Sequence, residues 1–243
     1  MKENNIEIIS LIYKSVDYLY LICEQLKSDF CQVDGWDVGV RLILNDATDE
    51  IKEEVKKLDI EYTILDNINP NEYYINRIYK AYNYGAQTSK YNNICFVNSD
   101  NLFSKNWLDN LLKHHNGINI PCCRLVESGK MRSGTYGVSK DFGKDPKNID
   151  YKGWDEYVEH NIIDETHVGG LFMPCIFNKE MFIKSGQYPE GNIYKDGVGT
   201  TNGDVVESSD RYFFKKLKKE HNLNHITVFD SLVYHIQEGE KDE

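Results

Sequence analysis

Between Ile6 and Val97 short apolar runs alternate with amphipathic stretches, and that alternation restricts the fold more than any other feature of this chain. Four runs read as buried strands: Ile6 to Tyr13, Val38 to Leu44, Glu61 to Leu65 and Ile94 to Val97. Helical spacing separates them. Asp17 to Leu26 is predicted as a helix with Asp17 as its N-cap, and Glu50 to Leu58 as a charged surface helix capped by Thr48 or Asp49. A polar loop containing Pro70 then leads into a tyrosine-rich helix from about Tyr73 to Ser89. Strand, helix, strand, helix, strand, helix, strand implies right-handed crossovers and a parallel sheet with helices on both faces. With 243 residues, one α/β domain with a full core is the simplest organisation.

In an open sheet of this kind ligands bind beyond the carboxyl ends of the strands. Two strand ends carry carboxylates there, Asn45-Asp46 and Asn98-Ser99-Asp100-Asn101. Asp100, beside amide and hydroxyl groups, suits Mg²⁺ or Mn²⁺, which take oxygen ligands and leave much of their shell to phosphate and water. The same four residues are also ordinary turn chemistry, because their side chains hydrogen-bond their own backbone. Both readings stand on the residues alone.

Beyond Asp100 the regular alternation stops. Lys105 to His114 reads as a helix, Ile118 to Val126 as a strand, Gly169 to Phe177 as another, and Lys179 to Lys184 as a short helix. Glu127 to Glu165 is polar and weakly periodic, the pattern of a long functional or mobile loop. Gly186 to Ser208 holds five glycines (Gly186, Gly191, Gly197, Gly199 and Gly203) and few apolar residues, so a flexible flap is expected. Asp210 to Leu217 is helical, and Ile226 to Ile236 supplies the last strands before an acidic tail.

A formal net charge of −11 argues against a nucleic-acid or anionic-membrane surface, which would need basic clusters. The six cysteines are scattered without metal-binding spacing and read as reduced core thiols of a cytoplasmic protein. No run approaches the ~18 apolar residues of a membrane span. Oligomeric state is not legible.

The order of motifs resembles the family 2 glycosyltransferases, enzymes of the Rossmann-like GT-A fold that use nucleotide-sugar donors. Ile12-Tyr13-Lys14-Ser15 stands where the family has Pro-Thr-Tyr-Asn, and Leu44-Asn45-Asp46-Ala47-Thr48-Asp49 resembles Val-Asp-Asp-Gly-Ser-x-Asp. Asn83-Tyr84-Gly85 is similar to Asn-x-Gly, and Phe96 to Asn101 to Phe-Leu-Asp-x-Asp-Asp, with Asn98 replacing the first Asp. The longest match is Asn178 to Glu190, similar to Arg-Arg-x-x-Phe-x-x-x-Gly-Gly-Phe-x-Glu. Ser209-Asp210 with Leu217 fits a Glu-Asp pair followed by leucine, and Val233-Tyr234-His235 resembles a terminal strand ending in a metal-reaching histidine.

The resemblance implies one GT-A domain with a nucleotide-sugar half (1–101) and an acceptor half (102–243). It implies donor contacts from Tyr13, Asp46, Asn83, Asn98 and Asp100, with Asp46 on the base, and a Mn²⁺ or Mg²⁺ ion on Asp100 and His235. It also implies Asp210 as general base, with Glu207 as second choice. The reaction implied is inverting transfer from a nucleotide-diphosphate sugar, UDP-linked first, to a glycan, lipid-linked or protein hydroxyl, the flap closing over both substrates. Asn98 and Ser209 each replace a family carboxylate, which supports an alternative: an inactive sugar- or nucleotide-binding module. A nucleotidyltransferase would want a glycine- and lysine-rich loop after the first strand, which Tyr13-Lys14-Ser15 is not.

Overall fold

The computed structural model describes residues 4–27, 29–66, 69, 71–200 and 204–237. Pro70, Gly203 and the acidic tail beyond Gln237 lie outside them. The chain runs β1 (Asn5–Ile12), α1 (Val16–Lys27), β2 (Asp37–Asn45), α2 (Asp49–Val55), β3 (Glu61–Leu65), α3 (Tyr74–Thr88) and β4 (Asn93–Val97). It continues through β5 (Asn101–Phe103), α4 (Trp107–Lys113), β6 (Asn119–Glu127), β7 (Val138–Ser139), α5 (Tyr151–Asn161) and β8 (Thr166–Val168). The last part is β9 (Cys175–Asn178), α6 (Lys179–Lys184), β10 (Ile193–Tyr194), β11 (Gly197–Val198), β12 (Val205–Glu207), α7 (Ser209–His221) and β13 (Asn224–His235).

The main sheet has the order β3-β2-β1-β4-β9-β6-β13-β5, with β7 added on β6 and β8 on β13. The first four strands are parallel, as the alternation predicts. β9 then runs antiparallel between β4 and β6, while β13 runs parallel to β6. Both faces of the central strands are covered, so β1, the end of β2 and β4 are largely apolar. Ile6, Ile8, Cys95 and Val97 pack toward α1, α2 and α4, whereas Ile9, Ile94 and Phe96 pack toward α3, α6 and α7.

Two close contacts lock α3 onto the sheet. Gly85 faces Ile9 so closely that a Cβ would stand 3.0 Å from its Cγ2. The buried Arg41 guanidinium grips Glu7 with two bonds of 3.1 and 2.9 Å and donates to the Gly85 carbonyl at 2.8 Å.

Several local expectations change. Ser15, not Asp17, caps α1: its hydroxyl accepts the Tyr18 N–H at 3.3 Å, while Asp17 pairs with Lys147 at 2.6 Å. Thr48 caps α2 by accepting the Ile51 N–H. The stretch expected to be a long loop, Glu127 to Glu165, contains β7 and α5. Its sparse apolar residues are large, and Trp154 and Val158, one turn apart, bury against Phe142 and Tyr234. The strand expected over Gly169 to Phe177 begins only at Cys175, because Gly169 and Gly170 adopt φ of +89° and +122°. All six cysteines are buried and free.

His225 carries a consequence for acid stability. Its Nε2–H donates to the Leu171 carbonyl at 2.9 Å, and the ring packs on Phe172 and Phe214. Burial pulls it down from 6.5 to about 4, against the opposing Leu171 bond. Because the folded value lies below the unfolded one, this stabilisation is complete above about pH 6.5 and is lost as pH falls through 4, at most about 3 kcal/mol. Melting temperature should fall across that window in the wild type and fall less in His225→Gln; equal slopes would contradict this assignment.

Candidate active site

The carboxyl edge of the sheet collects the titratable groups. β4 ends at Val97, and the Asn101 side chain folds back to accept the Asn98 N–H at 3.0 Å, which turns the chain straight into β5. β5 pairs antiparallel with the end of β13, setting Asn101 opposite His235, and the Ile236 N–H donates to the Asp100 carbonyl at 3.1 Å. That register brings the buried Asp100 carboxylate within 3.4 Å of His235 Nε2. On the other side of β13, the parallel ladder with β6 sets Glu127 opposite His235, its Oε1 lying 3.3 Å from Nδ1. Burial alone would lower the His235 pKa, but the charges and hydrogen bonds of Asp100 and Glu127 outweigh it and raise it to about 10.

α3 borders the whole edge. Arg77 in its first turn donates to Asp46 Oδ2 at 3.2 Å and lies over the Tyr13 ring, 5.6 Å from its centroid. Asp46 takes the left-handed conformation (φ 52°) that turns the chain out of β2, a conformation Asp tolerates better than most residues. Further along, Tyr82 donates its hydroxyl to the Val97 carbonyl at 3.0 Å and to Asn98 Oδ1 at 3.2 Å. Burial raises the phenols of Tyr79 and Tyr82, reinforced by the negative charge of Asp210 at Tyr79 and of Asp100 at Tyr82. Those two tyrosines are one turn apart on one face of α3, ~4.5 Å along its axis, so the two aspartates flank the same short stretch of helix.

Asp210 sits in the first turn of α7, where its Oδ1 accepts the Ser208 hydroxyl at 2.5 Å and the Arg211 N–H at 2.6 Å. Burial raises its pKa above 3.8, with those hydrogen bonds opposing. Glu207 is held by Lys215 in an ion pair. Ser209 gives its hydroxyl to the Pro189 carbonyl at 2.6 Å, tying α7 to the segment after α6.

Asn83, expected as a donor contact, is bonded to backbone within the chain. Its amide donates to the Tyr188 carbonyl at 2.9 Å and accepts the Tyr188 N–H at 3.1 Å, so both ends are spent on one backbone unit. That clamp places Tyr188 among Phe96, Phe182 and Phe213, the aromatic core that carries α7 to the edge. The motif from Asn178 to Glu190 serves the same end. Asn178 caps α6, Phe182 is buried, and Gly186 ends the helix at φ +89°.

The segment expected to be a flexible flap carries a second, three-stranded sheet, β11-β10-β12. Asn76 of α3 latches it, donating to the Gly199 carbonyl at 2.9 Å. A Cβ on Gly191, whose φ is +126°, would stand 2.2 Å from Asn76 Oδ1 and 2.7 Å from Gly199 Cα. Gly191→Ala should therefore release the segment and speed proteolysis between 190 and 208, at a cost of roughly 1–3 kcal/mol. Unchanged cleavage would show that the latch does not hold it.

Arg77 and Glu127 are the residues sequence reasoning missed. Glu127 had a signal: it ends an apolar run at the same sheet edge as Asp46 and Asp100. Arg77, one of two basic residues in a tyrosine-rich helix, had none. The Lys140 to Asn161 stretch, which begins at the residue bonded to the Glu127 carbonyl, forms an open depression of about 440 Å³ lined by Lys140, Asp141, Phe142, Asp150, Tyr157 and His160 among others. Among the described residues, no three His, Cys, Asp or Glu side chains converge as a ready-made metal cluster. Asp100 and His235 still fit one ion, since two donors about 2.1 Å from a common cation stand roughly 3.0–3.4 Å apart at angles of about 90–110°.

No family model and no curated protein matches the sequence. Solved structures do match in fold. GalNAc-T7 with UDP, GalNAc and Mn²⁺ aligns with a TM-score of 0.59 over 96% of this chain at 13% identity. Residues 1–349 of S. aureus TarS align at 0.56 over 95% of the chain at 16% identity, and the same protein in complex with UDP at 0.57. The chain spans 44% of the first of these and 60% of the other two. The curled, mostly parallel sheet with helices on both faces is thus the GT-A glycosyltransferase fold. Among the described residues no helix is long and apolar enough to cross a membrane.

Proposed function

We propose that this chain is an inverting glycosyltransferase of the family 2 type, moving a sugar from a nucleotide-diphosphate donor, UDP-linked first, to an acceptor hydroxyl. One observation carries the reading: Asp46, Asp100 and Asp210 all border α3, at Arg77, Tyr82 and Tyr79 in turn, while the register of β5 and β13 sets His235 against Asp100. An isolated turn at Asn98 to Asn101 would need none of this. The fold neighbours bound to UDP, one of them also to Mn²⁺, support the donor class and the cation.

Tyr13 and Asp46, the latter held by Arg77, would receive the base. Asp100 and His235 would hold Mn²⁺ or Mg²⁺, an oxygen and a nitrogen donor suited to a borderline-hard ion. When bound, that ion supplies positive charge to the departing diphosphate. Asp210 would take the proton of the acceptor hydroxyl, and its partly desolvated carboxylate is a stronger base than an exposed aspartate. With one base and no protein nucleophile, attack inverts the anomeric centre. Asn98 and Asn83 would act through Tyr82 and Tyr188, positioning the site. The depression along Lys140 to Asn161, together with the latched segment, would select a glycan, lipid-linked or protein acceptor.

The binding-module alternative keeps one observation in its favour: Ser209 and Glu207, where the family places a carboxylate and where a substitute base could stand, are both engaged in structural bonds. Mn²⁺-dependent nucleotide release from UDP-, GDP- and dTDP-sugars separates the two. Release from at least one donor is expected. Binding of a nucleotide sugar without turnover across donors and acceptors would favour the module.

A further inference from the structure

We propose that Glu127 is a positioning residue for the metal site: by accepting the Nδ1 proton of His235 it leaves the Nε2 lone pair for the cation on the Asp100 side. The inference rests on the metal reading of Asp100 and His235 given above. It starts from a carboxylate that would otherwise be costly. Glu127 is 5% exposed, and a buried carboxylate persists only when paired or hydrogen-bonded. Its neighbour is His235 Nδ1 at 3.3 Å.

A neutral imidazole has one donor nitrogen and one acceptor nitrogen, and an ionised carboxylate only accepts. Once a cation takes Nε2 on the Asp100 side, the one remaining proton lies on Nδ1, where Glu127 accepts it. Nε2, 3.4 Å from Asp100 Oδ2, is then the nitrogen with a lone pair to give. A carboxylate behind a metal-bound histidine fixes both tautomer and ring orientation, and losing it costs roughly 10–100-fold in metal affinity.

The backbone holds Glu127 in place for this. Its carbonyl accepts the Lys140 N–H at 2.9 Å, and the next residue, Ser128, donates its N–H to the His235 carbonyl at 3.2 Å. Ser128 also gives its hydroxyl to the Ile236 carbonyl at 2.6 Å. Ser128 thus ties the ends of β6 and β13 together just beyond the Glu127–His235 pair.

Titration of Mn²⁺ into the whole protein with UDP present, followed by electron paramagnetic resonance, tests the proposal. The wild type should bind Mn²⁺ with ¹⁴N modulation from the imidazole, and His235→Ala should lose both. Glu127→Ala, which removes the acceptor, should bind roughly 10–100-fold more weakly, with the modulation reduced. Equal affinity and equal modulation in wild type and Glu127→Ala would overturn the role of Glu127 while leaving the metal site intact. No difference between wild type and His235→Ala would instead overturn the metal reading itself. A readout that needs no variant is ¹⁵N NMR of histidine-labelled wild type with Mg²⁺ and UDP. His235 protonated on Nδ1 is expected, and the opposite tautomer would overturn the proposal even if Glu127→Ala fails to fold.

Discussion

Asp210→Asn is expected to lower kcat by roughly 10²–10⁴-fold while nucleotide binding stays at the wild-type level. The asparagine keeps the shape and can still accept the Ser208 hydroxyl and the Arg211 N–H, so only the capacity to take a proton is removed. The wild-type rate should also carry an acid limb, because the base works only when ionised. Burial moves that limb upward from the ordinary aspartate value. The sign for stability runs the other way. A carboxyl whose folded pKa is raised contributes stability below its unfolded pKa and loses it as pH rises through the folded value. At neutral pH the Asp210 charge is therefore a cost, and Asp210→Asn should melt at or above the wild-type temperature. A drop in melting temperature with unchanged kcat would mark Asp210 as a helix-terminal acid and nothing more.

The second large effect is expected at Asp100. Asp100→Ala removes one of two protein ligands from the proposed ion and leaves His235 with Glu127 alone. Mn²⁺-dependent nucleotide binding, read by calorimetry, should weaken by roughly a thousandfold or more, since even a residue acting behind a ligand is worth 10–100-fold. Asp49→Ala is the control. Asp49 lies exposed in the first turn of α2 and should bind as the wild type does. Equal losses in the two variants would mean that general surface charge is responsible, and no loss in Asp100→Ala would remove the ion from this position.

Much of this arrangement could be read before the fold was known. β1, β2 and β4 were legible because strands buried on both faces are near-continuous apolar runs, and the parallel order follows from the helices between them. Asp46 and Asp100 were legible as carboxylates at strand ends. What joins Asp100 to His235 was not. That contact depends on β5, three residues long, and on a register in β13 that shifts between Val228 and Leu232. Neither leaves a periodic signal. Asn83 was visible as a motif, but its work as a clamp on Tyr188 spans 105 residues and belongs to packing. The same holds for Gly85 of that motif, where a side chain would meet Ile9 across the α3–sheet contact.

The most direct test is a crystal structure of the protein soaked with UDP and MnCl₂, with anomalous difference density locating the manganese. The expected result is one Mn²⁺ between Asp100 and His235, the diphosphate on its open side, the uracil near Tyr13 and Asp46, and the Asp210 carboxylate facing the same cleft. Manganese bound elsewhere, or a diphosphate seated between Asp100 and His235 with Asp210 turned into packed core, would contradict it.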